Sequence, residues 1–414
     1  MALVIQTSTG SKDEVLQLIP DNKIGLATFL CYWSAIVIGI ATPIAGIVSP
    51  QIAQFFNVPT SHIVFIDALT LVGIFIGNGL SGIILERLGG RRTLILSSFF
   101  MMLVQIGIGS QSWLLVYSIL VFCSGFFMGL IVPTVSFLIV AAYAKKGRTD
   151  EKLNMKYFFV GLGSFVGPVA GGILAQIYTW RTIFIMTSVA FLLVFIMSII
   201  LDLAEIPTKP KTKVKRQVKE KSSNAINLSV VFVSVAMVGI VFTEYIISYW
   251  FSPYLQESLN LSVKTVGIMI GAFWLTVTFG RLFFGKLIIP KVKEYKFIIV
   301  SEIVIIIGLL LFVSTQNPIL LFLIIIILGI GDSAIFPTLL DFGLKQANFS
   351  PKALAFITCS CSFGGALSLI TSAVLGEHFP KIVPIYVAPL FCVVVIIFVL
   401  LAKYTSYKKT LISK

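Results

Sequence analysis

Charge is what this chain has least of. Asp, Glu, Lys and Arg together make up 12% of its 414 residues, against roughly 25% in an average soluble domain. So thin a coat excludes a soluble enzyme of two or three domains, and the apolar content excludes a disordered chain. Histidine occurs twice and cysteine five times. The cysteines (Cys31, Cys123, Cys359, Cys361 and Cys392) all fall inside apolar segments with no partner at metal-ligand spacing. They are read as packed thiols, and no metal site is expected. No nucleophile–base pair or nucleotide-binding loop occurs, so an enzyme is not expected. The acids number 17 and the bases 31, a net charge of +14. Such an excess can serve nucleic acid, but no basic stretch is interleaved with aromatics, and no nucleic-acid partner is expected.

What the chain has is apolar residues: 57% of the total, with a mean hydropathy of +1.02. A spanning helix needs about 20 of them. Twelve runs qualify: 24–50, 61–85, 93–110, 113–143, 153–178, 182–201, 226–255, 262–289, 297–314, 318–344, 353–376 and 382–402. Pro43, Pro133, Pro168 and Pro337 lie within them, as kinked membrane helices tolerate. The expected fold is all-α and polytopic, with twelve transmembrane helices. Counting Lys and Arg by loop orients it. With the N-terminus taken as cytoplasmic, 27 of the 31 cations fall on that side. Arg181, Lys264 and Lys381 fall on the other, and Arg281 lies inside a span. Both termini are thus expected in the cytoplasm. The surplus reads as a topology signal, with affinity for anionic lipid headgroups at the cytoplasmic face. Residues 1–23 are polar and acidic and read as a tail rather than a signal peptide.

The longest loop carries seven cations and divides the spans six and six. This gives an N-terminal bundle over 1–201, a basic cytoplasmic linker over 202–225 and a C-terminal bundle over 226–414. Sliding the chain along itself supports the division. At a shift of 203, Ser49-Pro50 falls on Ser252-Pro253, Asn57 on Asn260, Gly77 on Gly280 and Gly82 on Gly285. At 204, Gly125 falls on Gly329 and Pro133-Thr134 on Pro337-Thr338. A near-constant offset over four helices implies a duplicated six-helix unit, with a solute site expected between two pseudo-symmetric bundles.

Between the second and third spans the chain reads Gly82-Ile-Ile-Leu-Glu86-Arg87-Leu-Gly89-Gly90-Arg91-Arg92. This resembles the loop signature of the major facilitator superfamily, although the family more often has Asp where Glu86 stands. With the spans, the linker and the repeat, the resemblance covers the whole chain. It implies a gating role for Gly82, Glu86, Arg87, Gly89, Arg91 and Arg92. Gly82 would admit a neighbouring helix, and Glu86 would pair across the cytoplasmic gate. The plainer reading makes the bases positive-inside anchors. In the second half Gly285 is kept, but Ile289 and Pro290 replace the acid and base.

In span five, Gly163-Ser-Phe-Val-Gly167-Pro168-Val-Ala-Gly171-Gly172 is similar to the family's antiporter motif, and Trp180-Arg181 follows. That resemblance implies proton-coupled export. The glycines by themselves imply only close helix packing. Ser333-Ala-Ile-Phe336-Pro337-Thr338 with Gly343-Leu-Lys345 is similar to the tenth span of the fucose-permease branch, which includes sugar symporters. The two resemblances point in opposite directions, and each has a departure. Spans one and four hold no acid where fucose permease places carboxylates, and Gly125 stands where many exporters carry Arg.

Ionisable groups inside spans are functional candidates because they are costly unless paired or hydrated. Here they are Asp67, Glu244, Arg281, Glu302, Asp332 and Asp341. Glu302 and Asp341 lie within about two turns of a cytoplasmic end, within reach of water, and are read as structural. Asp67, near the outer end of span two, reads either as a binding or gating group or as a polar group of the outer rim. Asp332 lies roughly 21 Å below the outer end of span ten, Arg281 roughly 28 Å below that of span eight, and Glu244 roughly 16 Å below that of span seven. A buried Arg keeps its proton and requires an anion. A carboxylate beside it can alternate between protonated and paired states. Asp332 is assigned as the main proton site, Arg281 as its partner or a clamp for an anionic solute, and Glu244 as a second proton or solute site. A static Arg281–Asp332 salt bridge is the competing reading. Asn78 (the repeat counterpart of Arg281) and Tyr245 are candidate cavity-lining groups, with Thr42, Gln105, Tyr249 and Trp274. Trp250 and Tyr254 read as interface anchors.

The expected function is secondary active transport of a small organic solute by alternating access. The proton gradient supplies the energy, without a cofactor, in a monomer of the cytoplasmic membrane. Export by antiport is the first reading and import of a sugar or other nutrient by symport the second. A non-transporting receptor is disfavoured, because it has no use for the membrane charges.

Overall fold

The computed structural model describes residues 19, 21–143, 146–201, 226–347 and 350–412; the basic stretch 202–225 lies outside them. In lipid a backbone must satisfy its own N–H and C=O groups, so long apolar runs become helices. The spans are α1 (Ile24–Phe56), α2 (Thr60–Leu88), α3 (Gly90–Ser110), α4 (Leu114–Tyr143), α5 (Thr149–Ile177) and α6 (Trp180–Ile200). There follow α7 (Leu228–Ser258), α8 (Val263–Leu287), α9 (Glu294–Ser314), α10a (Pro318–Asp332), α10b (Ile335–Gln346), α11 (Pro351–His378) and α12 (Val383–Ile412). Among the described residues, twelve spans are long and apolar enough to cross a membrane. Bulky apolar residues such as Phe29, Phe75, Phe283 and Leu390 are exposed, as a lipid-facing surface requires.

The helix ends are set locally. Asn227, Ser262 and Asn317 accept hydrogen bonds from the first turns of α7, α8 and α10a, as N-caps do. Gly89, with φ 79°, joins α2 to α3 in a conformation that strains any other residue. Among the described residues, two that are not glycine have positive φ: Asn57 (53°) and Asn260 (54°). They follow α1 and α7 in the left-handed cap that asparagine tolerates, and they are partners in the 203-residue repeat.

The helices gather into two compact units. The first holds α1 to Thr42, α2 from Val72, α3, α4, α5 to Ser164 and α6 from Arg181. The second holds α1 from Pro43, α2 to Leu71, α5 from Phe165 and all of α7 to α12. Small residues set the helix spacing in both. In the first, a Cβ on Gly77 would sit 2.3 Å from the Phe126 carbonyl oxygen, and one on Gly73 would sit 2.3 Å from that of Phe122. The second repeats the contact: Gly280 abuts Ser333, and Gly329 abuts Thr276 and the Phe273 carbonyl. Gly73, Gly77, Gly125 and Gly129 in α2 and α4 thus correspond to Thr276, Gly280, Gly329 and Ser333 in α8 and α10. The glycines of α5 serve both units. Gly163 packs on α1 at Gly39, and Gly172 packs on Val263 and Gly267 of α8.

Three expectations are corrected by the packing. The close approach expected at Gly82 is not made. A Cβ there would meet nothing within 4 Å, because this last part of α2 is exposed. Trp250 and Tyr254 are buried rather than anchored at an interface. Gly376 of α11 leaves room for the indole, whose Nε1 donates to the Lys381 carbonyl at 2.8 Å. Lys156, one of the 27 cations counted on the cytoplasmic side, is 2% exposed. It lies inside α5, donating to Ser136 Oγ at 2.8 Å and sitting over the Tyr157 ring.

Replacing Gly39 or Gly163 with Ala should lower stability by about 1–3 kcal/mol, the usual penalty of overpacking, because each Cβ would fall about 2 Å from a carbonyl oxygen. Gly82→Ala and Gly285→Ala should have no such effect. Thermal unfolding of the purified variants measures the difference; equal midpoints for the two pairs would contradict the packing described.

Candidate functional site

Span ten is broken. α10a ends at Asp332 and α10b begins at Ile335. Pro337 has no N–H to offer the carbonyl four residues earlier, which is that of Ser333. Ser333 is buried, and a buried carbonyl requires a donor. Arg281 supplies it: its Nε donates to the Ser333 carbonyl at 3.1 Å. Gly280, next to it in α8, lets the two helices meet there. In the first unit α4 runs on unbroken past Pro133, and the counterpart of Arg281, Asn78, is exposed.

Asp332 sits at the mouth of the break and is 5% exposed. It interacts electrostatically with both Glu244 and Arg281. Among the described residues no ion pair within 4 Å joins it to Arg281, whose Nε is engaged on the backbone. The static salt bridge is therefore not what the structure holds. Glu244 and Arg281 are both half-buried. Just beyond Glu244, α7 widens into π turns over Ile246–Trp250 and Tyr254–Ser258, a distortion common at functional sites. The Tyr245 and Tyr249 rings stack across the first of them, 5.1 Å apart and nearly parallel. Gly365 of α11 faces Tyr245 and Leu71.

Burial decides the reading of two acids. Asp67 is 2% exposed and not a rim group, because the start of α2 packs within the second unit, where Asp67 interacts electrostatically with Tyr249. Glu302 does not reach water: it is 1% exposed. The Ser301 carbonyl beside it lies against Gly331 of α10a. Cys392 of α12 is an electrostatic neighbour of Glu302, and Thr243 Oγ1 lies 3.6 Å from the Cys392 sulfur. Helical spacing carried the missed signal. Ile298, Ile305 and Leu309 stand four, three and seven residues from Glu302 on one face, and all three are buried. Asp341 is half-exposed and pairs with Lys345, which also reaches Glu294.

The loop signature divides in its contacts. Arg91 donates to the Ser198 and Ile199 carbonyls at 3.3 and 2.8 Å, capping the last turn of α6. Glu86, Arg87 and Arg92 are exposed, and Gly89 is buried. In α5, Gly167, Pro168 and Gly171 are buried, and the Pro168 carbonyl lies against Gly267. At one end of the second unit a polar cluster joins α1 and α2 to α7 and α11. Glu257 pairs with Lys381 and accepts from Thr60, Gln51 donates to Gln256 at 2.9 Å, and His62 faces Glu377 at 3.4 Å. These groups border a cavity of about 650 Å³. Burial pushes the Lys381 ammonium below the usual lysine range.

Comparison with known proteins agrees with this architecture. The sequence profile described as Major Facilitator Superfamily matches residues 24–369. The "Protein TsgA homolog" of Yersinia pestis (strain Pestoides F) is 25% identical over 356 residues, covering 85% of this chain and 88% of that protein. The homologue of Yersinia pseudotuberculosis serotype O:3 (strain YPIII) is similar to the same extent. Among solved structures, the POT family transporter PepTSo superimposes with a TM-score of 0.72 at 12% identity, over 95% of this chain and 99% of its own. A D-xylose-proton symporter does so with a TM-score of 0.73 at 15% identity, over 91% and 97%. Both share the fold.

Arg281→Ala should leave the Ser333 carbonyl buried without its donor, destabilising the protein by about 1–3 kcal/mol. Pro337→Ala restores an N–H that can take that carbonyl. The double variant should therefore lose less than the sum of the single ones, with a coupling of about 0.5–3 kcal/mol. Additive losses in denaturant unfolding would mean that Arg281 and Pro337 do not share the Ser333 oxygen.

Proposed function

The chain belongs to the major facilitator superfamily, a family of membrane transporters, and on that premise we propose that it carries a small organic solute by proton-coupled alternating access. One observation carries the reading: Asp332 lies at a break in a spanning helix, beside a guanidinium held on a backbone carbonyl instead of on the acid. Protonated, Asp332 leaves Arg281 on Ser333. Deprotonated, it draws the guanidinium toward a charge-assisted pair, and the Ser333 carbonyl loses its donor. Proton occupancy is thereby tied to the geometry of the α8–α10 contact. Glu244 and Tyr245 are the remaining solute-facing groups, and an anionic solute would compete with Asp332 for Arg281.

The positive-inside distribution supports cytoplasmic termini, with Gly82, Glu86 and Arg87 at a cytoplasmic gate. The Glu257–Lys381 cluster is then the opposite gate, which must part when that side opens. Export by antiport is the direction favoured by the α5 motif. Import by symport is the second reading, favoured by the Ser333–Thr338 segment with its Pro337 break.

Proteoliposomes containing a luminal pH dye and no imposed gradient separate these readings against a panel of small organic solutes. Antiport makes the lumen alkaline when its solute is added outside, and symport makes it acid. Asp332→Asn and Glu244→Gln should abolish the pH response, while solute counterflow survives in at least one. A pH response of wild-type size in both variants would remove these residues from the coupling site.

A further inference from the structure

Resting on the proton-coupled reading above, we infer that Glu302 is a proton-exchanging residue of the same site, so that the coupled pool holds more than one proton. The inference starts from a charge count. Glu244, Glu302 and Asp332 interact electrostatically as a group, and Arg281 is the one cation among the groups described around them. A single guanidinium can balance a single carboxylate. Buried carboxylates beyond that number must be protonated to stay in a low-dielectric interior. Arg281 is moreover engaged on Ser333, which leaves the acids still less neutralised.

Glu302 is the deepest of the three. Asp332 of α10a and Cys392 of α12 are its electrostatic neighbours, and the Cys392 sulfur lies 3.6 Å from Thr243 Oγ1 of α7. The charged groups at the near end of α9 and α10b, Glu294, Asp341 and Lys345, are engaged with one another. No cation pairs with Glu302 among the described residues. A thiol is a weak donor, a poor partner for a permanent carboxylate and an adequate one for a neutral acid that gives up its proton in turn. Gly331 keeps side-chain bulk out of the contact between the Ser301 backbone and the turn that carries Asp332. The transfer is balanced. The O–H bond of the Glu302 carboxyl breaks, an O–H bond forms on the Asp332 carboxylate directly or over one water, and the negative charge moves to Glu302. A purely structural position among Ile298, Ile305 and Leu309 would be served better by an apolar side chain.

The test uses the full-length protein in phosphatidylcholine nanodiscs, with the proton itself as probe. Infrared difference spectra recorded across a pH series report the C=O stretch of each protonated carboxyl that titrates. Glu302→Gln should lose one titrating band, and Asp332→Asn and Glu244→Gln should each lose a different one. Cys392→Ala should shift the Glu302 band without removing it. Glu302→Asp, which keeps a carboxyl if the Gln variant fails to fold, should retain a titrating band at an altered position. If Asp332→Asn and Glu244→Gln lose bands while Glu302→Gln loses none, Glu302 is static and the inference fails. If wild type shows no titrating carboxyl at all, the proton-coupled reading itself fails.

Discussion

The site depends on one backbone carbonyl. Pro337 cannot hydrogen-bond Ser333, and an unsatisfied buried carbonyl is costly. The helix opens over Ser333 and Ala334, and Arg281 fills the vacancy. The consequence reaches past local structure. A guanidinium committed to the backbone is not committed to Asp332, and in the proposed mechanism this leaves the acid available to a proton. A cation that simply paired with its acid would give a fixed salt bridge and no switch.

Small residues make this possible, and they are common to both halves. Gly77 meets Gly129 as Gly280 meets Ser333, and Asn57 and Asn260 turn the chain with nearly the same φ. The packing frame is duplicated while the chemistry is not. Where the second copy has Arg281 and Asp332, the first has Asn78 and Met128. Proline alone therefore does not make the break: α4 continues past Pro133, where Asn78 stands in the place of Arg281. The ionisable candidates near the break, with Asp67 brought in from α2, all lie in the second unit.

The spans were legible in the sequence because lipid leaves a long apolar run one way to satisfy its backbone. The repeat was legible because turn-forming Asn and close-packing Gly are hard to replace. Arg281 and Asp332 were legible as charges with no other place to go. The misreadings share one cause: distance along a helix was taken for distance from water. Glu302, near the start of α9, is covered by α10a and α12. Asp67, near the start of α2, lies in the second unit, and Lys156 sits inside α5 against Ser136. Trp250 disappears because Gly376 lies opposite. Neighbours set burial, and a single sequence does not say which helix will be the neighbour.

The central claim is that Arg281 moves between the Ser333 carbonyl and the Asp332 carboxylate as the acid gains or loses its proton. Electron cryomicroscopy of the protein in nanodiscs at acid and at alkaline pH tests it directly. At acid pH the guanidinium should remain on Ser333. At alkaline pH it should lie within ion-pair distance of Asp332, with the Ser333 carbonyl released. A guanidinium in the same place in both maps would contradict the account.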